Sequence, residues 1–507
     1  MHITPCLRGS VAIMPFATKI APTPHEEIVT KYEKLVAGYH SGITESLSFR
    51  KEQLRNLYFA IKDNQAQLKD ALFQDLHRPS AETDALELFE VYTEINLALS
   101  NLESWSSDTH LAGDMRLLMS NPLLRKTPYG TVLIISPWNY PYLLSIVPIV
   151  SAIAAGNTVL FKPTEVAPAS STYLGELLTK TLSPDIFQVV QGAVPETTLI
   201  LEQKFDKIMF TGSTSVGRIV AQAATKHLTP VALELGGKSP VIVTAKANIK
   251  LAAKRIAWGK FTNAGQTCIA PDYMLVEEAV HDQLIAELVK ATKAFYGDLT
   301  KDSKDYAHIV NERLWERQGK LVEASKGKIE LQLGTPDKAS RFYPPTIVSQ
   351  VTFEDELMQD ELFGPILPIV KIKSAVKEVP QLVRKHDHPL ALYIFTSSDA
   401  EAQVLLNKTR SGGAIVNDTL IHGGSAAVPF CGVGTSGVGR YHGKFGFDEF
   451  TYERPVLFQR DVAEMALALR YPPFSADKLS KLRFFSVPRE WFPRKGPVKG
   501  LVGRLFS

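Results

Sequence analysis

The sequence predicts an α/β protein built from two doubly wound domains, and three observations carry that expectation. Short, continuously apolar runs recur with segments between them long enough for crossover helices. A second series of such runs follows the first without repeating its motifs. The chain has 507 residues, 45% hydrophobic and 21% charged, which is enough for more than one core. With 32 Gly and 31 Pro it is not collagenous or disordered. Three distant cysteines, Cys6, Cys268 and Cys431, fit neither a disulfide framework nor a zinc cluster and suggest a reducing, intracellular compartment.

Taken in order, the first 25 residues hold Arg8 and Lys19 and no acid before Glu26, a weak likeness to an organelle-targeting segment. Residues 26 to 105 place Leu54, Leu57, Tyr58, Ile61 and Leu68 at helical spacing, so several amphipathic helices are expected. Strands are expected at Thr131 to Ile135, Thr158 to Phe161, Phe187 to Val190, Lys207 to Phe210 and Val231 to Leu235. The second series runs through Pro240 to Val243, Tyr273 to Val276, Pro365 to Val370, Leu392 to Thr396 and Ala414 to Asn417. Helices near Lys250 to Phe261, Ala279 to Phe295 and Ala400 to Lys408 punctuate it. Pro429 to Phe450 is glycine-rich and aromatic without helical periodicity, and reads as extended chain.

The last thirty residues, Lys478 to Ser507, carry eight Lys or Arg against one acid, Glu490, and interleave Phe484, Phe485, Trp491, Phe492 and Phe506. Such a tail is either a solvated charge run or a segment that rests on an anionic membrane surface. It does not span a bilayer, because the longest apolar stretch of the chain, Tyr142 to Ala155, is short and contains Pro148. No nucleic-acid partner and no metal are expected. Cytoplasmic or peripheral membrane placement follows.

Chemistry concentrates in a few stretches. Phe210-Thr211-Gly212-Ser213-Thr214-Ser215-Val216-Gly217 joins an apolar strand to a helical pattern, where glycines let backbone amides approach a phosphate. It is not the Gly-x-Gly-x-x-Gly fingerprint, so an ordinary loop remains open. Lys162-Pro163-Thr164-Glu165 follows a strand, where an acid and a base can hold ribose hydroxyls or simply face water. Cys268 follows a glycine turn in Asn263-Ala264-Gly265-Gln266-Thr267-Cys268. A free cysteine is often apolar filler, but a thiolate is a strong nucleophile if an oxyanion site and a base accompany it. Asn139, between Pro137 and Pro141, can donate to an oxyanion, and Glu234, at a strand end before two glycines, can accept a proton from water. A turn-forming Asn and a salt-bridged Glu are the bland alternatives.

In this order and approximate spacing, Pro137 to Pro141, Lys162 to Glu165, Phe210 to Gly217, Glu234 to Lys238, Gly265 to Cys268, Glu361-Leu362-Phe363-Gly364-Pro365 and Asn417-Asp418 resemble the aldehyde dehydrogenase superfamily, from about residue 30 to residue 460. Tyr441 to Asp448 and Arg470-Tyr471-Pro472-Pro473 resemble its class 3 and fatty aldehyde branch. The resemblance implies an aldehyde dehydrogenase-like fold with a cofactor-binding domain at 26–233, residues 106–128 contributing to a small oligomerisation extension. A catalytic domain at 234–430, a return segment at 431–460 and the tail at 461–507 follow. It also implies a homodimer through Leu117 to Pro128 and Phe445 to Pro455.

By the same resemblance, Cys268 attacks an aldehyde, Asn139 holds the oxyanion and Glu234 activates water to hydrolyse the thioester. Glu361 and Phe363 would position the nicotinamide ribose, and Lys162 and Glu165 the adenosine ribose. Thr211, Gly212, Ser213 and Gly217 would lie along the pyrophosphate, with Trp138 beside cofactor and substrate. Glu165 would repel a 2′-phosphate, which favours NAD, while Lys162 leaves NADP possible. Tyr140, Trp258, Phe261 and Ile269 would form an apolar entrance suited to medium or long-chain, apocarotenoid or aromatic aldehydes. The rivals are a CoA-acylating enzyme, which would not need Glu234 as base, and an inert structural protein of this fold.

Overall fold

The computed structural model describes residues 16–112, 117, 120–461, 464, 468–486 and 494. The expectations placed on Arg8 and on Trp491, Phe492 and Phe506 lie outside them. The chain divides into two compact units, one of Met1–Trp105 with Pro128–Thr451 and a smaller one of Ser106–Thr127 with Tyr452–Ser507.

The larger unit opens with amphipathic helices α1 (His25–His40), α2 (Leu47–Asp63), α3 (Gln65–Leu76), α4 (Ser80–Thr83) and α5 (Phe89–Ser106). Leu54, Leu57, Ile61, Leu68 and Leu72 are fully buried from this set, because their three- and four-residue spacing puts them on one face. In the smaller unit, β1 (Thr109–His110) and β2 (Leu123–Pro128) form a three-stranded sheet whose third member comes from the far end of the chain.

The first series of apolar runs forms β3 (Thr131–Ile135), β4 (Thr158–Lys162), β5 (Phe187–Val189), β6 (Lys207–Thr211) and β7 (Val231–Glu234). They pair in parallel in the order β7-β6-β3-β4-β5, so the strand order reverses beside β3. Helices α6 (Leu143–Ala155), α7 (Pro168–Thr181), α8 (Val194–Leu201) and α9 (Thr214–Thr225) make the crossovers. In a doubly wound sheet the strand carboxyl ends around such a reversal form the ligand crevice.

The second sheet has seven strands, β8 (Pro240–Val243), β9 (Tyr273–Glu277), β10 (Lys328–Gln332), β11 (Thr346–Ser349), β12 (Ile366–Ile372), β13 (Ala391–Phe395) and β14 (Gly413–Val416), in the order β10-β11-β12-β9-β8-β13-β14. Only β10, at an edge, runs antiparallel to its neighbour. Helices α10 (Ile249–Phe261), α11 (His281–Tyr296), α12 (Glu312–Ala324), α13 (Ala375–Val383) and α14 (Asp399–Lys408) complete it. Afterwards β15 (Gly437–Val438) returns to the first sheet, antiparallel to β7, with Gly437 opposite Glu234. β16 (Thr451–Val456) is the third strand of the small sheet.

One expectation fails here. Within Pro429 to Phe450, read as extended, Gly443–Glu449 is a helix, α15. It packs through glycine instead of an apolar stripe: a side chain at Gly446 would meet Ser151 Oγ at 2.3 Å. A helix that buries glycines shows no hydrophobic period.

Candidate active site

The turn that carries Cys268 is built from an unusual backbone. After α10 the chain makes one tight turn at Thr262–Gly265, in which Asn263, Ala264 and Gly265 all have positive φ, at 51°, 50° and 72°. Three successive left-handed residues are costly and need support. Support comes from polar side chains buried with them. Gln266 Nε2 donates to the Asn263 and His308 carbonyls at 3.1 and 3.0 Å, and its side-chain Oε1 accepts from Val310 N at 3.0 Å. Gly265 has no alternative, since a Cβ there would sit 2.3 Å from the Gly364 carbonyl oxygen. Cys268 emerges beyond this turn as a free, half-buried cysteine.

Asn139 follows β3 and is 2% exposed. Its Nδ2 donates to the Gln266 carbonyl at 3.1 Å, so one amide hydrogen ties it to the Cys268 turn and the second is left for an oxyanion. The Asn139 carbonyl accepts from Arg78 and from Asn263 Nδ2, the latter at 3.1 Å. Arg78, itself fully buried, also donates to Asn263 Oδ1 at 3.1 Å and pairs with Glu87. The second Glu87 oxygen accepts from Tyr142 N and Leu143 N at 2.8 and 2.9 Å, at the start of α6. This Arg78 hub escaped the sequence reading. Nothing next to Arg78 distinguishes it from a surface arginine after a helix.

Glu234 ends β7, 2% exposed, with Oε2 unpartnered among the described residues. Burial, and next the Glu449 charge, hold its carboxyl well above the usual carboxylate range. Glu361 rests on the glycine pair after Glu234, where a Cβ at Gly236 would lie 2.2 Å from its Oε2. Burial, then Asp272, push its carboxyl up to about 8. Burial also raises the Cys268 thiol, with Glu361 and Glu234 adding to the effect. The three groups thus share one electrostatic site. The loop before Glu361 is fixed by a buried pair the sequence reading did not single out: Lys238 Nζ lies 2.5 Å from Asp272 Oδ1 and donates to the Leu357 and Asp360 carbonyls at 2.9 and 2.8 Å. Asp272 Oδ2 in turn accepts from Leu362 N at 2.9 Å. Phe363 has φ of 51° and stacks edge-on with Trp138 at 5.3 Å.

The residues expected to hold a dinucleotide sit at strand carboxyl ends or at the start of α9. Lys162, on the last position of β4, is buried and pairs with half-exposed Glu165 at 2.7 Å. Thr211 ends β6, and Ser213 caps α9, accepting from Val216 N. Gly217, in the first turn of α9, packs on Leu235, which a Cβ would meet at 2.5 Å. The donor set fits a dinucleotide: helix-start amides for a pyrophosphate, Lys162 and Glu165 for one ribose, Glu361 for the other. The aldehyde dehydrogenase family model matches residues 38–456 of this chain. The chain belongs to the aldehyde dehydrogenase family.

Its relatives include aldehyde dehydrogenase family 3 member B1 of Rattus norvegicus, 41% identical and covering 89% of this chain and 96% of that one. The 4,4'-diaponeurosporen-aldehyde dehydrogenase of Staphylococcus aureus is also 41% identical, over 88% of this chain and 96% of its own. The dimeric NADP-preferring aldehyde dehydrogenase of Canis lupus familiaris is 40% identical, over 86% and 96%. Among solved structures, the substrate-bound state of Staphylococcus aureus AldH superposes with a TM-score of 0.88 at 40% identity, covering 90% of this chain and 99% of that one. This aldehyde dehydrogenase is therefore an NAD(P)-dependent enzyme of the class 3 branch that oxidises aldehydes.

The four residues expected at an apolar entrance separate. In this aldehyde dehydrogenase Phe261 is fully buried and belongs to the core, so it lines no entrance. The cause is its place at the last turn of α10, facing inward. Tyr140 is 7% exposed, stacks under Arg78 at 4.6 Å and bonds Thr267 Oγ1 at 2.8 Å, next to Cys268. Ile269 is buried against Gly423, where a Cβ would meet its Cδ1 at 2.5 Å. Trp258 is the one of the four that reaches solvent. Ile421 and Val428, in the segment after β14, are exposed apolar residues.

Proposed function

We propose that the enzyme oxidises apolar aldehydes to carboxylic acids through a covalent Cys268 intermediate. The observation that carries this reading is the buried Glu234 carboxyl, unpartnered at Oε2 and sharing one electrostatic site with the Cys268 thiol. The thiol releases its proton to solvent and its sulfur pair attacks the aldehyde carbon. The carbonyl π pair becomes an alkoxide, held by Asn139 Nδ2 and the Cys268 amide. Bound NAD(P)+ supplies the hydride acceptor when the alkoxide collapses to a thioester. Glu234 then takes a proton from water as that water adds to the thioester, and the Cys268 thiolate leaves. Lys162 and Glu165 would hold the adenosine ribose, Glu361 the nicotinamide ribose, and the start of α9 the pyrophosphate.

The substrate class is medium or long-chain, apocarotenoid or aromatic, supported by Ile269 directly after Cys268 and by the apolar side chains of Tyr140 and Trp258 beside the motifs in sequence. A homodimer is supported by the name of the dimeric canine relative. Peripheral association of the basic, aromatic tail with anionic membranes is supported by its composition. Among the described residues no helix is long and apolar enough to cross a membrane. The test is NADH formation from a panel of aldehydes graded in chain length and ring character, without CoA. Preference for short polar aldehydes, or a strict need for CoA, rejects the reading.

A further inference from the structure

Upstream of the span matched by the family model, the chain lays a short strap across the cofactor domain. Residues 16–24 lead to the start of α1 without helix or strand, bending at Thr18 and Lys19, and are tied down at several points. Thr23 N donates to the Gln191 carbonyl at 2.9 Å, and Gln191 N donates back to Thr23 Oγ1 at 2.9 Å. Gln74 Nε2 donates to the Ala17 carbonyl at 3.2 Å, and Phe16 packs edge-on against Tyr173 at 5.8 Å. A two-way bond to the residue just past β5 places the strap beside the carboxyl ends of the first sheet.

A surface cavity of about 370 Å³ lies between the strap and the sheet. The strap gives it Thr18, Lys19, Ile20 and Pro22. The body gives it Glu165 and Pro168 from the start of α7, and Gly192, Ala193, Pro195 and Glu196 from the start of α8. Glu165 is the group assigned to the adenosine ribose, so this cavity is the adenosine end of the cofactor groove. Its charges are unevenly committed. Glu165 is already neutralised by Lys162 at 2.7 Å, and Glu196 is engaged by Ala193 N at 2.8 Å and by His25 at 3.4 Å. Exposed Lys19 makes no ion pair or side-chain hydrogen bond among the described residues.

We propose that the strap is a wall of the adenosine pocket and that Lys19 is a cofactor-specificity residue, supplying the uncommitted cation that admits a 2′-phosphate beside Glu165. A phosphate monoester at the ribose 2′ position meets repulsion from Glu165 alone. Lys162 cancels that repulsion by pairing, and a second ammonium turns the balance toward attraction. The 2′-hydroxyl of NAD offers Lys19 no such charge, so the residue discriminates between cofactors without touching the reacting atoms. This inference rests on the assignment of Glu165 to the adenosine ribose.

The experiment is equilibrium binding of NADH and NADPH to the full-length enzyme, read by cofactor fluorescence with no aldehyde present. Lys19→Ala and Lys19→Glu are compared with Glu165→Gln and with a chain lacking residues 1–20. Lys19→Glu should weaken NADPH about tenfold and leave NADH within a factor of two. The Lys19→Ala loss should be smaller, and the parent's NADPH affinity should fall more steeply with salt than its NADH affinity. The shortened chain should reproduce the NADPH loss. If both Lys19 variants and the shortened chain bind both cofactors like the parent, or lose both equally, the strap proposal is wrong. Glu165→Gln separates the two layers: a changed NADPH to NADH ratio there, with none at Lys19, removes only the strap. No change at Glu165 removes the ribose assignment as well.

Discussion

The His442 Nδ1 and Glu94 Oε1 atoms lie 2.7 Å apart, with both side chains essentially without solvent contact. The same carboxylate accepts the Gly443 amide through both oxygens, at 3.0 and 2.8 Å. Glu94 therefore fixes the start of α15 to α5, and His442 is held at a φ of 84° next to Tyr441, which is electrostatically coupled to Glu234, Cys268 and Glu94. Glu94→Ala strands the imidazole and the amide, and should cost about 3 kcal/mol of unfolding free energy in urea. Glu94→Gln keeps an acceptor for the amide and should cost clearly less. Equal losses would mean that the Gly443 bond contributes nothing.

Glu90, one turn before Glu94, is buried, and that burial, with Glu94 opposing its charge and His442 partly relieving it, raises its carboxyl to about 7. A folded carboxyl raised above its unfolded value favours the folded state below about pH 4.5. That advantage is lost as pH rises through 7. Glu90→Gln should thus be more stable than the parent at pH 8 and indistinguishable from it at pH 4.5. Urea midpoints across that range check this, and a pH-independent difference would contradict it.

Cys268 and Glu234 are assigned to different half-reactions. Cys268→Ala should form no NADH above background, a loss on the order of 10³-fold or more. Glu234→Gln should release about one equivalent of NADH per site in a stopped-flow burst and then stall. Because burial holds the Glu234 carboxyl above the usual carboxylate range, steady-state turnover of the parent should climb with pH on a limb displaced upward from that range, as the base ionises. That limb should vanish in Glu234→Gln. Loss of the burst in both variants would overturn the division.

Asn139→Ala should lower kcat by about 10² to 10³ with little change in KM, the usual cost of one oxyanion donor. Arg78→Lys keeps a charge opposite Glu87 but loses the planar fork that reaches Asn139 and Asn263. It should lower kcat by about tenfold through misplacement, while cofactor affinity stays unchanged. An altered NADH affinity in Arg78→Lys would show that the hub serves the whole domain.

What the sequence made legible, and what it hid, follow from range. β3 and β8 coincide with the expected Thr131 to Ile135 and Pro240 to Val243, because every residue in them is buried and a continuous apolar run leaves no other reading. β11 is as fully buried, yet only Ile347 and Val348 in it are apolar, between Thr346 and Ser349 and after Pro344 and Pro345, so it offered no apolar run. β10 is mostly exposed at a sheet edge, and α15 buries glycine. Cys268, Glu234 and Asn139 stood out through their own neighbours in sequence. The groups that hold them in place, Arg78, Glu87 and Asp272, act across dozens of residues, and no local pattern announces a partner that distant.

The contact between Gly265 and Gly364 binds the nucleophile's turn to the loop bearing Glu361 and Phe363 with no room for an added atom. A methyl group placed on Gly265 would have to push these two segments apart. Gly265→Ala should therefore disturb the Cys268 turn and the Glu361 loop together, lowering turnover and folding stability in one step.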